Sequence, residues 1–208
     1  MKVAILANGE YAEYKFCKSL VEYDYIICAD NGLYHADKLN ITPNLLIGDF
    51  DSVDKTLLEK YNFVETKRLQ PIKDETDTEC AVDYAVSIGA TEITIFAGIG
   101  TRFDHSFANV QLLLKILNLG VKGNIINTHN NIYLIDNSIE IKGRENTLVS
   151  LLPLSKKVTG VSTEGLFYGL DNGEFEMGKP YGVSNVVIQK YAKISIKQGL
   201  LLIILAND

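Results

Sequence analysis

Short apolar runs alternate with longer helix-patterned stretches through the first 128 residues, and this alternation narrows the possible folds more than any other feature. Residues 3–7, 25–29, 45–47 and 93–97 form runs rich in Ile, Leu and Ala. Runs this short, apolar rather than alternating, suit strands buried on both faces. Residues 62–66 and 124–127 are weaker strand candidates. Between them, 11–23, 33–39, 55–61, 78–88 and 106–119 carry helical patterns. The stretch 78–88 is marked at both ends. Thr76-Asp77-Thr78-Glu79 has the S/T-x-x-E form of a capping box, and Gly89 suits the stop. Strands alternating with helices predict a mostly parallel sheet covered on both faces, a three-layer α/β arrangement.

The texture changes near Thr128-His129-Asn130. Residues 132–135, 138–141, 147–152, 158–162, 183–189, 192–197 and 200–205 are short and β-rich, punctuated by Gly, Asn, Asp and Pro. That spacing predicts an all-β sandwich or barrel. The expected organisation is an α/β domain over 1–128 followed by a β-sandwich domain over 129–208.

Composition removes several classes of function. A net charge of −6 disfavours nonspecific nucleic-acid binding. Cys17, Cys28 and Cys80 show no CxxC spacing, so they read as buried thiols in a reducing compartment rather than a disulfide framework. His35, His105 and His129 are too dispersed for a zinc site. The apolar start is too short for a signal peptide, and 199–206 falls far below the roughly 20 residues of a membrane helix. The expectation is a cytoplasmic protein that acts without membrane or nucleic acid. No G-x-x-x-x-G-K-[ST] is present, and the partial G-x-G at Gly98 and Gly100 is an incomplete dinucleotide fingerprint.

Chemistry concentrates after the strands. Gly48-Asp49-Phe50-Asp51-Ser52 follows 45–47 directly. An extended backbone would point Asp49 and Asp51 the same way, about 6–7 Å apart. Asp30 follows 25–29, Arg102 and Asp104 follow 93–97, and Asp77 opens a helix. Ligands of doubly wound sheets bind beyond the carboxyl ends of the strands. Singly, each carboxylate has an ordinary reading: Asp77 complements a helix dipole and the others suit turns. Together on one edge, without a matching cluster of bases, they call for a cation, and Mg²⁺ takes oxygen ligands in phosphate chemistry. Arg102, in a glycine-flanked loop running into a helix, suits a bidentate phosphate contact. Lys73 precedes the other helix start.

These residues stand in an order that resembles the thiamine pyrophosphokinase family in its bacterial form. The matching blocks are Ala29-Asp30-Asn31-Gly32, Gly48-Asp49-Phe50-Asp51-Ser52, Lys73-Asp74-Glu75-Thr76-Asp77-Thr78-Glu79 and Arg102-Phe103-Asp104-His105-Ser106-Phe107-Ala108-Asn109. The second half matches more thinly, at Glu164-Gly165-Leu166-Phe167-Tyr168 and Gly182-Val183-Ser184-Asn185. Asn31, Thr101, Phe167 and Val186 depart from the usual pattern, and none is a core carboxylate. The resemblance implies an α/β nucleotide domain, a β-sandwich domain, and a homodimer with thiamine at the subunit interface. It implies transfer of a pyrophosphoryl group from ATP to the thiamine hydroxyl, with Mg²⁺ held by Asp49, Asp51 and Asp77. Arg102 would stabilise the transferring group. Asp30, Asn31, Gly32, Lys73, Thr76, Arg102, Asp104 and His105 would bind ATP; Phe167, Tyr168, Ser184 and Asn185 would bind thiamine. Asp77 and Asp104 are both open as the general base. Two other classes fit parts of the pattern. A nucleotide-sugar glycosyltransferase could use Asp49-x-Asp51 but would form no AMP with thiamine. A noncatalytic nucleotide or thiamine sensor would bind without turnover.

Overall fold

The structure is a computed structural model and describes residues 1–142 and 145–207. The chain divides into two compact units, Met1–Thr128 and His129–Asp208.

The first unit is built on six parallel strands: β1 (Lys2–Leu6), β2 (Tyr25–Ala29), β3 (Leu45–Gly48), β4 (Glu65–Arg68), β5 (Glu92–Phe96) and β6 (Lys122–Ile126). Their order is β6-β5-β1-β2-β3-β4, with every neighbouring pair parallel. From β1 the chain builds outward through β2, β3 and β4, then returns to place β5 on the other side of β1. That reversal opens a crevice at the carboxyl ends of the central strands. Helices α1 (Gly32–Lys38), α2 (Lys55–Lys60), α3 (Asp77–Ser87) and α4 (Phe103–Asn118) connect the strands. Val3, Ala4, Ile5, Leu6, Ile27, Leu45, Ile47, Ile93, Ile95 and Phe96 are wholly buried, as parallel strands covered on both sides require. Cys17 and Cys28 are buried free thiols. Burial pushes the Cys17 thiol up to about 12 and Cys28 in the same direction.

Several elements differ from the sequence reading. Residues 11–23 are not one helix. Ala12 and Tyr14 have φ of 43° and 57°, and only Lys15–Glu22 winds, as a 3₁₀ helix. Tertiary contacts override the periodicity here: the buried Tyr11 donates its hydroxyl to the Ala7 carbonyl at 2.9 Å and stacks on His35 at 3.6 Å. The strand expected over 62–66 lies at Glu65–Arg68, because Val64 is buried in the turn that follows α2. Helix α4 begins at Phe103, ahead of the expected 106, since its first aromatic residues, Phe103 and Phe107, face outward.

The second unit is a sandwich of two antiparallel sheets. Its strands are β7 (Asn130–Ile135), β8 (Ser138–Lys142), β9 (Leu148–Pro153), β10 (Lys157–Glu164), β11 (Gly173–Glu176), β12 (Asn185–Val186), β13 (Tyr191–Ser195) and β14 (Leu201–Ala206). They form the orders β12-β9-β14-β7 and β11-β10-β13-β8. Inward residues of both sheets, among them Val149, Leu151, Val158, Val161, Phe175, Ile194 and Ile203, share one core. Two expectations are corrected. The strand read over 183–189 shrinks to Asn185–Val186, because Ser184 turns at φ 58°. Strand β11 carried no recognisable pattern, since Phe175 is its one buried side chain.

Candidate active site

A cleft of about 860 Å³ opens at the carboxyl ends of β1, β2, β3 and β5. Two glycines allow its walls to meet. A Cβ on Gly9 would lie 1.9 Å from the Ala97 carbonyl oxygen, so only glycine lets the loop after β1 close on the loop after β5. A Cβ on Gly48 would lie 3.1 Å from the Asp30 Cα, so the end of β3 can press against the end of β2.

That second approach assembles the acidic centre. Asp30 and Phe50 adopt φ of 47° and 63°, left-handed values that bulky residues hold only under constraint. The turn at Phe50 replaces the extended Asp49-x-Asp51 geometry expected from sequence. The Asp51 N–H donates to Asp49 Oδ1 at 3.1 Å. Phe50 is buried, and the Arg68 guanidinium lies over its ring at 5.2 Å while Nη1 donates to the Asp49 carbonyl at 3.0 Å. Asp30, Asp49 and Asp51 can each place one oxygen within 4.8 Å of the others. Ser52 Oγ donates to Asp30 Oδ2 at 2.8 Å, yet Asp30 Oδ1 is buried with no hydrogen-bond partner. Burial holds the Asp30 carboxyl above its ordinary range; the Ser52 and Asn31 hydrogen bonds oppose this and the charges of Asp77 and Asp49 add to it. Three clustered carboxylates, one of them with a buried and unpaired oxygen, fit a divalent cation with oxygen ligands.

Asp77 enters the same cleft from α3. Its Oδ1 lies 2.8 Å from Lys73 Nζ, as an ion pair rather than a directed hydrogen bond, with both side chains less than a fifth exposed. Thr76 caps this helix by accepting the Glu79 N–H at 3.1 Å. The capping box is only half made: the Glu79 carboxylate reaches Lys115 of α4 at 2.9 Å instead of returning to Thr76.

Arg102 and Asp104 form a forked pair, Nε to Oδ1 at 3.2 Å and Nη2 to Oδ2 at 2.6 Å. Arg102 brings the Asp104 carboxyl down to about 2. Both are well exposed. The loop that carries them is fixed from α4, where Ser106 Oγ accepts the Gly100 N–H at 3.0 Å and buried Asn109 donates to the Gly98 carbonyl at 2.7 Å.

Of the residues read from sequence as phosphate or metal groups, Asp30, Asp51, Lys73, Thr76, Asp77, Arg102 and His105 line the cleft. Asp49 joins through the carboxylate cluster. Asn31 Nδ2 donates to Asn8 Oδ1 at 3.2 Å. Gly32 is buried at the start of α1, where a Cβ would lie 2.0 Å from the Leu6 carbonyl oxygen. Arg68, Ser52, Ser106 and Asn109 were given no role from sequence. Ser52, Ser106 and Asn109 stand inside quoted motifs, whereas nothing about Arg68 on an exposed strand signals that it grips the aspartate turn.

The two segments that the resemblance assigns to thiamine meet within the second unit. The Phe167 N–H donates to the Val186 carbonyl at 2.9 Å, and Leu166 bridges to Val187. Phe167 and Tyr168 are 63% and 65% exposed and pack edge to face at 4.9 Å, so neither belongs to the sandwich core. Ser184 is exposed. Asn185 is buried and bonded to the chain rather than turned outward.

Comparison with known proteins matches this division. Residues 16–125 match the thiamin pyrophosphokinase catalytic domain, and residues 136–201 match the thiamin pyrophosphokinase vitamin B1 binding domain. Thiamine pyrophosphokinase of Bacillus subtilis (strain 168) is 29% identical over 192 residues, 90% of this chain and 89% of that protein. The crystal structure of thiamine pyrophosphokinase from Bacillus subtilis superposes with a TM-score of 0.90 at 25% identity, covering 100% of both chains. That of thiamin pyrophosphokinase from Geobacillus thermodenitrificans gives 0.88 at 27% identity, covering 100% of this chain and 98% of that one. With a carboxylate-lined cleft in the first unit, a β-sandwich as the second, and a domain match to each, the chain belongs to the thiamin pyrophosphokinase family.

Proposed function

We propose that this chain transfers the pyrophosphoryl group of ATP to the hydroxyl of thiamine, giving thiamine diphosphate and AMP. The observation that carries the metal part of this reading is the clustering of the Asp30, Asp49 and Asp51 carboxylates, one of which, Asp30, also has a buried oxygen without a partner. Asp30, Asp49 and Asp51 would hold Mg²⁺, with Asp77 across the cleft as a further ligand. Bound there, Mg²⁺ would neutralise the triphosphate and favour attack at its β-phosphorus.

The chain's own residues supply positioning and charge. Arg102 presents a planar fork suited to equatorial phosphate oxygens, and Asp104 holds that fork in place. A carboxyl at about 2 is a poor proton acceptor near neutrality, so Asp104 orients Arg102 rather than acting as base. Of the two candidates, Asp77 is then the one that remains. Lys73, held beside Asp77, can follow the phosphates with its flexible ammonium. Thr76 and His105 line the nucleotide side of the cleft. Phe167 and Tyr168 offer exposed aromatic surface to a cationic thiazolium or its pyrimidine.

The working unit is a homodimer with thiamine held between subunits, as the family resemblance implies. A cytoplasmic setting accords with free Cys17, Cys28 and Cys80. Among the described residues no helix is long and apolar enough to cross a membrane. The glycosyltransferase and sensor readings gain no support from the comparisons. Incubation with ATP, Mg²⁺ and thiamine should yield AMP and thiamine diphosphate in equal amounts. ADP with thiamine monophosphate, or nucleotide loss independent of thiamine, would overturn the assignment.

A further inference from the structure

We infer that Asn185 is a positioning residue for Tyr168: it fixes the backbone of the exposed aromatic corner and touches no substrate itself. This rests on the reading of Tyr168 as a thiamine contact.

The geometry assigns nearly all of the Asn185 amide. Oδ1 accepts the Tyr168 N–H at 2.9 Å and the Val186 N–H at 2.8 Å. Nδ2 donates to the Tyr168 carbonyl at 2.8 Å. Only this orientation of the amide satisfies two donors and one acceptor at once. Both acceptor positions of Oδ1 are thereby taken, and the residue is only 7% exposed. The side chain imitates a strand partner, making to Tyr168 the paired donor and acceptor contacts that a ladder would make. The neighbouring ladder confirms the need for it. Phe167 N–H donates to the Val186 carbonyl and Ile188 N–H to the Gly165 carbonyl, both at 2.9 Å, but β12 ends at Val186. At Tyr168 no main-chain bond of this kind is made among the described residues, and Asn185 supplies the side-chain substitute. The outcome is a corner whose two rings are more than 60% exposed while its backbone is pinned. An aromatic contact to a ligand is stronger when its backbone is ordered beforehand, because less freedom is lost on binding.

The test is a double-mutant cycle on the dimeric enzyme. Asn185→Asp keeps the acceptor for both N–H groups but sets a carboxylate oxygen against the Tyr168 carbonyl; Asn185→Ala removes all three bonds. Each should raise KM for thiamine about tenfold, with kcat and KM for ATP held within about twofold. Tyr168→Ala should raise the same constant, and Tyr168→Ala combined with Asn185→Asp should be no worse than Tyr168→Ala alone. Losses that multiply in the double variant would overturn the inference, because Asn185 would then act independently of Tyr168. So would an unchanged KM for thiamine in Asn185→Asp with a normal thermal midpoint. If Tyr168→Ala alone left thiamine KM unchanged, the thiamine reading of the corner would be the part that fails. A second readout avoids turnover. The chain has no tryptophan, so Tyr168→Trp gives a single fluorescent reporter. Its anisotropy should fall when Asn185→Asp is added, and equal anisotropy in both backgrounds would refute the pinning.

Discussion

Asp30 is the residue on which the metal assignment turns. Its carboxylate is held among other carboxylates, with Oδ2 bonded to Ser52 and Oδ1 buried without a partner. A charge so placed disfavours the metal-free fold. Asp30→Asn keeps the shape and the Ser52 contact while removing that charge. The metal-free variant should unfold at the same temperature or slightly higher, whereas the Mg²⁺-dependent gain in thermal midpoint should vanish. Turnover should fall about 100-fold or more, as should that of Asp49→Asn and Asp51→Asn. Near-normal activity of these variants at limiting Mg²⁺ would remove the metal from this cluster. Arg102 makes a separate demand. Lysine preserves its charge but not the fork that Asp104 orients, so Arg102→Lys should lower kcat with thiamine KM little changed. A variant altered only in thiamine KM would place Arg102 in the other half of the site.

Among elements, α3 links stability to the site most directly. Its first residue is Asp77, its cap is Thr76, and its remaining acidic side chains tie it to Lys115 of α4. Because Glu79 is committed to Lys115, the Thr76 hydroxyl is the one side chain capping the first turn. Thr76→Ala should cost about 1 kcal/mol. In a domain of this size that is a fall of about 2–4 °C in thermal midpoint. Thr76→Ser, which keeps the oxygen, should recover most of it. Equal midpoints for Thr76→Ala and the parent, measured without ligand, would show that the cap contributes nothing. The 3₁₀ segment Lys15–Glu22 teaches the opposite lesson. Its helical periodicity is real, but Tyr11 and His35 stack ahead of it and force left-handed turns at Ala12 and Tyr14.

For the whole molecule, the catalytic-domain match and the vitamin B1 binding-domain match fall on different units of the chain. If one subunit supplies the carboxylates and its partner the aromatic corner, two defective chains can repair one another. Asp51→Asn and Tyr168→Ala homodimers should each be impaired. Mixing them under subunit exchange should restore one working site in two within each heterodimer. Thiamine diphosphate formation no higher than in either parent, with exchange independently confirmed, would rule out a shared site.

The sequence by itself determined the layers, their boundary and the chemistry of the cleft edge. Apolar runs of strand length, separated by helical periodicity, leave few ways to bury both faces of a sheet, and carboxylates after those strands must gather at one edge. Tertiary structure alone decided the rest, because it depends on which loops touch. Asp30 joined Asp49 and Asp51 through the close approach at Gly48, and Arg68 took hold of the Phe50 turn from an exposed strand. The Asn185 amide found its partners on the Tyr168 backbone, seventeen residues away in the chain. Periodicity records which face of an element is buried; it carries no record of which backbone groups a distant side chain will find.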